Sequence, residues 1–590
     1  MVLDARTEKP LKIFGERLER LKTMSVPQAM VNFDLGHTYD RLMSQEEIDS
    51  LWKEHFEELD RKNKRQNLHV YVHSLYCVSK CAYCHCKSFK LSESDSLEKY
   101  IDYICGKATH YGALLDGRTV TSIYFGGGTP TIYEDSEFER LIGGVTRSFN
   151  TTETGVICCE MNPFTASKKK IEAAVACGIN RISFGVQSLN PDVLARVNRA
   201  YQTEEMVGAA IRSAKAAGVA EVNVDLMAFL DGETPETLAE NIRKIAAMKP
   251  DSIVLYRYHP LEEKEEPGGI FGRYGWDEAV NIFSSIVDEE GYEGDEARAF
   301  ANSFGISVER RGSGKKRDEG SRVNMGTYSS VPRSVIGIGP FATSFIFNKA
   351  VYETRLYRNN VYYTGNETTP DNEARLFLVL NCLEHAKVNL REFEALFDMN
   401  PESAFSDVIE VLKELNVLKI EEDTLIWTAR SDAELVAAAT LFYPEDLVLE
   451  DETATSVGNS IGIIKRHDEF TEETFEQNRK ALYVKSFLRA VGLADDYGRL
   501  GVTVTDVRLS DKQIVVYVSD GKEERGISME PFDGRPCYAA SKHIRFSSLT
   551  QDTIPPFAAD CMQIFSVLMR DITFSVLESI FIPDTCGRGG

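Results

Sequence analysis

The stretch YVHSLYCVSKCAYCHCKS, residues 71–88, gathers four cysteines in ten positions directly after a short strand-like run. Cys77, Cys81 and Cys84 have the spacing C-x3-C-x2-C, and Cys86 follows two positions later. The thiolate is the form of cysteine that binds metal, and three thiolates on one loop can hold three corners of a cubane iron–sulfur cluster. Full ligation needs a fourth group, so the fourth iron of such a cluster is open to a small molecule.

Strand-like and helical patterns alternate outward from this loop. The strand-like runs lie at residues 69–74, 121–127, 155–162, 181–187, 221–229 and 252–259, and stretches with helical periodicity separate them. Six such units predict a parallel sheet, and repeated right-handed βα crossovers predict a partial (β/α)6 barrel with ligands at the C-terminal ends of its strands. The cysteines follow the first strand, and GGGTP, residues 126–130, ends the second.

A structural zinc ion is the alternative ligand of this loop, held by the three spaced cysteines with either His85 or Cys86. Zinc ligands usually come as two separated pairs, whereas these cysteines all lie on one loop after the first strand of a βα series. Three glycines at the end of the next strand also let the backbone approach a ligand closely. Together the two placements favour the iron–sulfur cluster.

The composition limits the domain count, the partners and the compartment. A chain of 590 residues accommodates two to four domains at roughly 100 to 200 residues each, and its net charge of −24 makes nucleic acid a poor partner. The N-terminus has no apolar signal region, and no uninterrupted apolar run approaches about 18 residues, which predicts a cytoplasmic protein without a membrane span. Twelve cysteines in such a reducing compartment indicate metal ligands or catalysts rather than disulfides.

The rest of the sequence predicts further domains around the barrel. Residues 1–67 are expected to form a helical lead-in, residues 68–345 the barrel with a connecting segment, residues 346–430 a small winged-helix-like module, and residues 431–590 an extra C-terminal α+β domain. The last of these contains a predicted hairpin at VTVTDVRLSDKQIVVYVSD. The charged, glycine-containing loop at residues 309–324 predicts a mobile lid.

The motifs YVHxxxCxxxCxYCxC, GGGTP, ExNP, RISxGVQS and NVDLM occur here in that order over about residues 69–260, and the set resembles the oxygen-independent coproporphyrinogen III oxidase family of radical S-adenosylmethionine (SAM) enzymes. The resemblance implies a [4Fe-4S] cluster whose open iron takes the amino and carboxylate groups of SAM. It also implies an electron from the cluster that cleaves SAM to a 5'-deoxyadenosyl radical, and an electron donor of flavodoxin or ferredoxin type. The cofactor carries the difficult chemistry, and the protein positions and shields it.

The same resemblance assigns roles to individual positions. The cluster ligands are Cys77, Cys81 and Cys84, and the catalytic positions are Cys86, which does not bind the cluster, and Tyr71. The positions implied for the first SAM are Tyr71, Gly126, Gly127, Gly128, Thr129, Glu160, Gln187, Arg199 and Asp225. Carboxylates can accept from ribose hydroxyls or an ammonium group, and Arg can pair with a carboxylate. Gly337 and Gly339 of SVIGIGPFATS match a segment that forms a second SAM pocket in the family, although Pro340 and Phe341 replace the small residues expected there.

Three functions remain open on the sequence. The first is methyl or methylene transfer, as in class C radical SAM methyltransferases and related cyclopropanating enzymes of natural-product pathways, with two SAM molecules and a small-molecule or carrier-tethered substrate. The second is oxidative decarboxylation of a porphyrinogen, which would need a basic pocket that the sequence does not offer outside RRGSGKKR, residues 310–317. The third is a non-enzymatic heme chaperone, which the absence of an H-N-x-x-Y motif and the presence of Cys86 disfavour. The extra C-terminal domain favours the first.

Overall fold

The structure is a computed structural model of the chain. The residues that it describes are 5–21, 41–62, 64, 66–84, 86–92, 97–258, 275–294, 305–311, 333–357, 360–442, 503–510, 513–519, 524–529 and 544–547. The chain divides into two compact units, the first formed by Met1–His37, His55–Val351 and Glu367–Glu469, and the second by Thr38–Glu54, Tyr352–Asn366 and Phe470–Gly590.

Helices and strands alternate through most of the first unit. The elements up to residue 257 are α1 (Ala5–Leu21), β1 (Arg41–Met43), α2 (Gln45–Arg61), β2 (Asn67–Ser74), β3 (Tyr76–Cys77), β4 (Phe89–Lys90), α3 (Leu97–Leu114), β5 (Thr119–Gly127), α4 (Asp135–Thr146), β6 (Asn150–Met161), α5 (Lys168–Ala176), β7 (Arg181–Gln187), α6 (Pro191–Arg196), α7 (Glu204–Ala216), β8 (Glu221–Ala228), α8 (Pro235–Ala247) and β9 (Ser252–Arg257). The later elements are α9 (Trp276–Glu289), β10 (Tyr292–Gly294), β11 (Gly305–Arg310), β12 (Arg333–Ile338), β13 (Thr343–Ile346), β14 (Ala350–Tyr357), β15 (Asn360–Glu367), α10 (Pro370–His385), β16 (Lys387–Asn389), α11 (Leu390–Phe397), α12 (Pro401–Ala404), α13 (Ser406–Glu414), β17 (Leu418–Glu421), β18 (Thr424–Trp427), α14 (Asp432–Thr440), β19 (Thr503–Ser510), β20 (Gln513–Ser519), β21 (Glu524–Met529) and β22 (Ile544–Ser547).

The sheet of the first unit has the strand order β13-β12-β2-β5-β6-β7-β8-β9-β11-β10. Its centre is six parallel strands, β2 and β5 to β9, in chain order, which confirms the predicted parallel α/β fold of six units. β12 adds a further parallel strand beside β2, and β11 and β10 continue the other edge in antiparallel pairing. Central strands bury residues on both faces, as in β5, because helices cover a parallel sheet.

Side-chain caps start the helices that return from the strand ends. Ser167, Asn190, Thr203 and Thr234 each accept a hydrogen bond from a backbone N–H in the first turn of α5, α6, α7 and α8. The apolar stripe of α8, with Leu238 buried on it, faces the core. The loops that follow β6, β7 and β8 are therefore anchored where they enter these helices.

The elements beyond the barrel include two small sheets. In the first unit, β16, β18 and β17 form a three-stranded antiparallel sheet. Helix α14 follows the expected domain boundary at residue 430. Its Leu435 is buried, and the Leu435 carbonyl accepts a hydrogen bond from the Cys382 thiol of α10. In the second unit, β1 pairs with β15, and β19 to β22 form an antiparallel sheet whose first two strands confirm the predicted hairpin.

Several predictions fall outside the described residues. They include most of the expected lid at residues 309–324, His85, and most of the expected C-terminal domain at residues 431–590. Within the described part of the chain, no helix has both the length and the hydropathy of a membrane span.

Candidate active site

The cysteine loop leaves the sheet through β3 and returns through β4, and these two short strands pair in parallel. Cys77 lies opposite Lys90 in this pairing, and the backbone N–H of Leu91 donates to the Cys77 carbonyl at 2.9 Å. Lys80 Nζ donates to the carbonyl of Cys86 at 2.5 Å and so links the two arms of the loop. The four cysteines of the motif therefore lie on one short loop whose two arms are joined by a hydrogen bond.

Two of the loop thiols receive donors from neighbouring segments, Thr129 after β5 and Arg199 after α6. Thr129 Oγ1 donates to Cys77 Sγ at 3.4 Å, and Arg199 Nη1 lies 3.6 Å from Cys81 Sγ. Hydrogen bonds and cations favour a thiolate over a thiol, and they tune the potential of a cluster that the sulfur binds. Sequence resemblance assigned Thr129 and Arg199 to SAM, whereas their contacts in the structure include these cysteines.

The third thiol, Cys84, has a different neighbour. A hydrogen bond from Cys86 lowers the pKa of Cys84 to about 6, and the ammonium group of Lys80 lowers it further against the effect of burial. The same hydrogen bond, together with burial and the charge of Cys84, raises the pKa of Cys86 well above its ordinary value. Cys86 therefore stays a neutral thiol that donates to Cys84, which suits a residue beside the cluster ligands.

The zinc alternative requires four side chains that converge on one ion. Among the described residues, no three His, Cys, Asp or Glu side chains converge closely enough to hold one metal ion. The thiolates of a cubane cluster bind separate iron atoms and stand farther apart than the ligands of one zinc ion. The described thiols therefore do not test a zinc site that includes His85, which lies outside the described residues.

The glycines at the end of β5 bring the strand close to the cysteine loop. A Cβ atom on Gly128 would lie 2.6 Å from the Tyr76 carbonyl, and one on Gly127, whose φ is +94°, would lie 2.7 Å from the His73 ring. A Cβ atom on Gly126 would lie 3.1 Å from Glu160 Oε2. The sequence predicted close approach to a ligand, but the neighbours of Gly127 and Gly128 are the chain's own loop and strand.

Arg199 is buried between the cysteine loop and the end of β7. Its Nη2 donates to the Gly185 carbonyl at 2.5 Å and to Gln202 Oε1 at 2.7 Å, and its Nη1 lies 3.3 Å from Tyr83 Oη. Gln202 Nε2 in turn donates to the carbonyls of Val186 and Ser188, both at 2.9 Å. One buried network therefore connects Cys81 with the backbone on both sides of Gln187.

Two carboxylates face the same side of the sheet at the ends of β6 and β8. Tyr124 Oη donates to Glu160 Oε1 at 2.7 Å, while Ser183 Oγ and Asn223 Nδ2 donate to the two oxygens of Asp225, both at 2.7 Å. Burial raises the pKa of Glu160 to about 7 and also raises that of Asp225. Buried carboxyls with raised pKa values on the ligand side of a sheet are candidates for a functional site.

Gln187 ends β7 in an unusual conformation. Its φ is +70°, in the left-handed region that non-glycine residues rarely adopt, and the pairing of β7 with β8 shifts register there. Its side-chain oxygen, Oε1, is buried without a hydrogen-bond partner among the described residues. Backbone strain together with an unpaired buried acceptor indicates a position that is shaped for a ligand.

Tyr71 and His73 lie on the same face of β2. Tyr71 Oη and His73 Nδ1 are 2.9 Å apart, and His73 Nε2 donates to the Lys87 carbonyl at 2.7 Å. Burial and then the Glu160 charge raise the pKa of Tyr71 far above its ordinary value, so its hydroxyl stays protonated. His73 is a hydrogen-bonded supporting residue that joins Tyr71 to the returning arm of the cysteine loop.

The GIGPF segment, residues 337–341, packs against His73. Gly339 has φ +109°, and a Cβ atom there would lie 2.8 Å from the His73 carbonyl, while one on Gly337 would lie 2.5 Å from the Thr343 carbonyl. Phe341, itself at φ +68°, packs its ring 6.4 Å from His73 and 5.9 Å from Phe89 between centroids. The two glycines are needed for backbone packing, and the phenylalanine occupies space beside the loop.

Sequence reasoning missed the residues that support this site. They are Tyr124, Ser183, Asn223 and Gln202, which orient Glu160, Asp225 and Arg199. Ser183 and Asn223 stand two positions before Gly185 and Asp225, so the alternation of a strand could have placed them on the ligand face. No comparable pattern points to Gln202.

Comparison with known proteins agrees with the geometry. Residues 71–245 match the model of the Radical SAM superfamily. The oxygen-independent coproporphyrinogen III oxidase of Escherichia coli is 30% identical over 194 residues, which are 33% of this chain and 42% of that enzyme. The heme chaperone HemW of Haemophilus influenzae is 29% identical over 194 residues, which are 32% of this chain and 50% of that protein. The matched part of this chain thus spans half or less of the length of either relative.

A solved structure shares the fold. Coproporphyrinogen III oxidase (HemN) from Escherichia coli superposes with a TM-score of 0.51 at 21% identity, covering 64% of this chain and 90% of that chain. The radical SAM family implies a [4Fe-4S] cluster and SAM, and the three thiols, their donors and the unpaired Gln187 oxygen fit that pair of cofactors.

Proposed function

Because the chain carries a radical SAM domain at residues 71–245, we propose that it is a radical SAM enzyme that transfers a methyl or methylene group to a small-molecule or carrier-tethered substrate. A second SAM would serve as the carbon donor, and the reducing cytoplasm would be the compartment. When bound, the cluster and the first SAM supply an electron and a 5'-deoxyadenosyl radical that abstracts a hydrogen atom from the substrate. The protein's own residues bind, orient and shield these groups.

The cluster would be held by Cys77, Cys81 and Cys84. Support comes from the donors on the first two thiols, Thr129 Oγ1 and Arg199 Nη1, and from the lowered pKa of the third. Cys86 would stay a neutral neighbour and not a ligand. These donors favour thiolates, the form that iron needs, although burial raises the pKa of Cys77 against the hydrogen bonds from Thr129 and Ser88.

The first SAM would lie across the ends of β6, β7 and β8. Its ammonium, ribose hydroxyl and adenine amino groups are hydrogen-bond donors, and the polar groups at these strand ends are acceptors: Glu160, Asp225 and the unpaired Oε1 of Gln187. Tyr71, whose hydroxyl stays protonated and donates to His73 Nδ1, would stand beside the cluster. The match between donors and acceptors supports this placement.

The observation that favours carbon transfer over decarboxylation is the charge of the face of the sheet that holds Glu160 and Asp225, here named the strand-end face. On the same side of the sheet as Glu160 and Asp225, Arg181 lies at the start of β7 and pairs with Glu221 at 3.0 Å, while Arg199 contacts the cysteine loop and β7. A porphyrinogen substrate with four carboxylates would need cationic side chains without partners, and these two guanidinium groups already have partners. A substrate that is not a polyanion suits the face better. Gly337 to Ser344 would supply a wall for the second SAM.

Oxidative decarboxylation of a porphyrinogen is the second candidate. Its support is the C-x3-C-x2-C-x-C pattern and the similarity to coproporphyrinogen III oxidases. The experiment is anaerobic reconstitution with iron and sulfide, followed by turnover of candidate substrates with methyl-labelled SAM and mass spectrometry. Carbon transfer requires 5'-deoxyadenosine, S-adenosylhomocysteine and label in the product. Deoxyadenosine without S-adenosylhomocysteine, with loss of carbon dioxide from the substrate, would establish the decarboxylase instead. A protein that binds the cluster but never cleaves SAM would rule out both candidate activities.

A further inference from the structure

A buried carboxyl group links the ends of β7 and β8. Glu233 lies in the loop between β8 and α8 and is only 2% exposed. Its Oε2 accepts from the Phe229 N–H at 2.8 Å, and its Oε1 accepts from Asn241 Nδ2 at 2.8 Å and from Ser188 Oγ at 3.3 Å. Phe229 follows β8, Ser188 follows β7, and Asn241 belongs to α8. Glu233, Ser188 and Asn241 are here named the Glu233 cluster.

The Glu233 cluster also holds the backbone that follows Gln187. Asn241 Nδ2 donates to Ser188 Oγ at 2.9 Å, and Asn241 Oδ1 accepts from the Leu189 N–H at 3.1 Å. Ser188 Oγ accepts in addition from the Asn190 N–H at 3.2 Å. The three residues after Gln187 are thus bonded to one another and to α8.

The two strand ends that this cluster joins are both strained. The backbone angle φ is +70° at Gln187, directly before Ser188, and +55° at Phe229, whose N–H is bound by Glu233. Non-glycine residues in the left-handed region persist only where their surroundings hold them, and such positions gather at functional sites. Gln187 is also the residue whose Oε1 is buried without a partner among the described residues. The Glu233 cluster is therefore placed to fix the direction of that acceptor.

The carboxyl group of Glu233 is itself costly to bury. Burial raises its pKa to about 8, against the hydrogen bonds from the Phe229 N–H, Asn241 and Ser188. None of these three partners carries a charge, so the carboxyl group is held by neutral donors. A costly buried group whose partners include both strained strand ends indicates a role in shaping the site.

We propose that Glu233 is a positioning residue for SAM, which holds Ser188 and Phe229 so that Gln187 keeps its left-handed conformation and directs Oε1 to the ligand. This inference rests on the proposed function, in which the first SAM lies across the ends of β6, β7 and β8. In this role Glu233 does not touch SAM and acts only through Gln187. Its effect on SAM binding must therefore disappear when the Gln187 side chain is removed.

The test is a double-mutant cycle on the full-length protein, reconstituted with its cluster and left unreduced so that SAM binds without being cleaved. In Glu233→Gln an amide nitrogen, which cannot accept, replaces one carboxyl oxygen, so either the Phe229 N–H or Asn241 Nδ2 loses its acceptor. SAM affinity, measured by isothermal titration calorimetry, should fall about fivefold, as in Gln187→Ala. Because Glu233 acts through Gln187, the two changes together should also lower it about fivefold, and not the roughly 25-fold of independent sites.

A reciprocal exchange provides the rescue. In Glu233→Gln combined with Asn241→Asp, the amide nitrogen at position 233 donates to the carboxylate at position 241, which still accepts from the Leu189 N–H. This variant should bind SAM within about twofold of the wild type. Ser188→Ala removes one hydroxyl group of the cluster and keeps the carboxyl group. It should weaken SAM binding in the same direction, again only while Gln187 is present, and it gives the same cycle if Glu233→Gln does not fold.

Glu373→Gln is the matched control, because Glu373 is a buried carboxyl group of α10 that accepts from Thr368 Oγ1 at 2.9 Å. It should lower the melting temperature without changing SAM affinity. If Glu233→Gln behaves in the same way, Glu233 is only structural and the positioning role fails. That role also fails if the losses from Glu233→Gln and Gln187→Ala multiply, because Glu233 then acts on SAM by another route. Wild-type protein that carries the cluster but binds no SAM would instead refute the proposed function.

Discussion

The strand-end face has two sides, the cysteine side and the carboxylate side, and their polar groups differ in whether they have hydrogen-bond partners within the chain. On the cysteine side, formed by β2, β5 and the cysteine loop, donors meet acceptors within the chain, as with Thr129 on Cys77 and Arg199 on Cys81. On the carboxylate side, formed by β6, β7 and β8, burial raises the pKa of Glu160, and Gln187 keeps an unpaired oxygen. In the proposed enzyme, the first side would hold the cluster and the second would be completed by SAM.

The largest expected effect is on the cysteine side. Changing Cys77, Cys81 or Cys84 to Ala should abolish both the cluster and SAM cleavage, because a cubane held by two thiolates loses a corner. Cys86→Ala should retain the iron. Iron and sulfide content with the electron paramagnetic resonance signal of the reduced protein measures this. If Cys86→Ala loses iron while Cys77→Ala keeps it, the ligand assignment is wrong.

The next effect separates the two sides. Asp225→Asn keeps the shape of the side chain but removes its charge, so SAM affinity should fall about ten- to a hundredfold, equal to about 1.5 to 3 kcal/mol, with the cluster intact. Arg199→Ala should instead change the cluster signal, since its guanidinium lies 3.6 Å from Cys81 Sγ. Equilibrium binding of SAM and iron content are measured for both variants.

Arg199→Lys keeps the charge and serves as the control for that pair. An unchanged cluster in Arg199→Ala, together with weakened SAM binding, would move Arg199 to the carboxylate side, as the family resemblance implied. Unchanged SAM affinity in Asp225→Asn would remove this carboxylate from the binding site.

The sequence predicts the parts of this comparison that depend on local patterns. Alternation of apolar residues gives six βα units, and cysteine spacing gives the cluster loop. It does not predict that Gly127 and Gly128 pack on the chain's own loop, because that contact depends on the parallel register of β2 and β5. The contact of Arg199 with Cys81 joins residues 118 positions apart, and no periodicity encodes it.

The third prediction concerns pH. With the pKa of Glu160 at about 7, its carboxylate is mostly protonated at pH 6 and mostly ionised at pH 8. If the ionised form accepts from SAM, affinity should rise about tenfold over this range, and Glu160→Gln should remove the dependence. Isothermal titration calorimetry at several pH values measures it. An equal slope in both proteins would assign the titration to another group.

The same residue affects stability with the opposite sign. The folded pKa lies above the ordinary value of 4.5, so the stabilising contribution of the protonated form is complete below pH 4.5 and is lost as pH rises through about 7. The melting temperature of the wild type should therefore fall relative to that of Glu160→Gln between pH 5 and pH 8. A difference that is constant with pH would contradict the raised pKa.

The smallest expected effect is at Gln187, where the carboxylate side has an unpaired acceptor and no charge. Gln187→Ala removes one neutral hydrogen bond to SAM, which should weaken binding by about 1 kcal/mol, or about fivefold. Stability should not fall to match, since Oε1 has no described partner to lose and the strained φ of +70° is shared by any non-glycine residue. Gln187→Gly is the control, because it relieves the backbone and also removes the acceptor. It should bind SAM as weakly as Gln187→Ala but melt at a higher temperature than that variant. If both variants bind SAM as tightly as the wild type, Gln187 Oε1 does not contact SAM, and its lack of a partner results only from the register shift in β7. The cysteine side and the carboxylate side would then differ less than their contacts indicate.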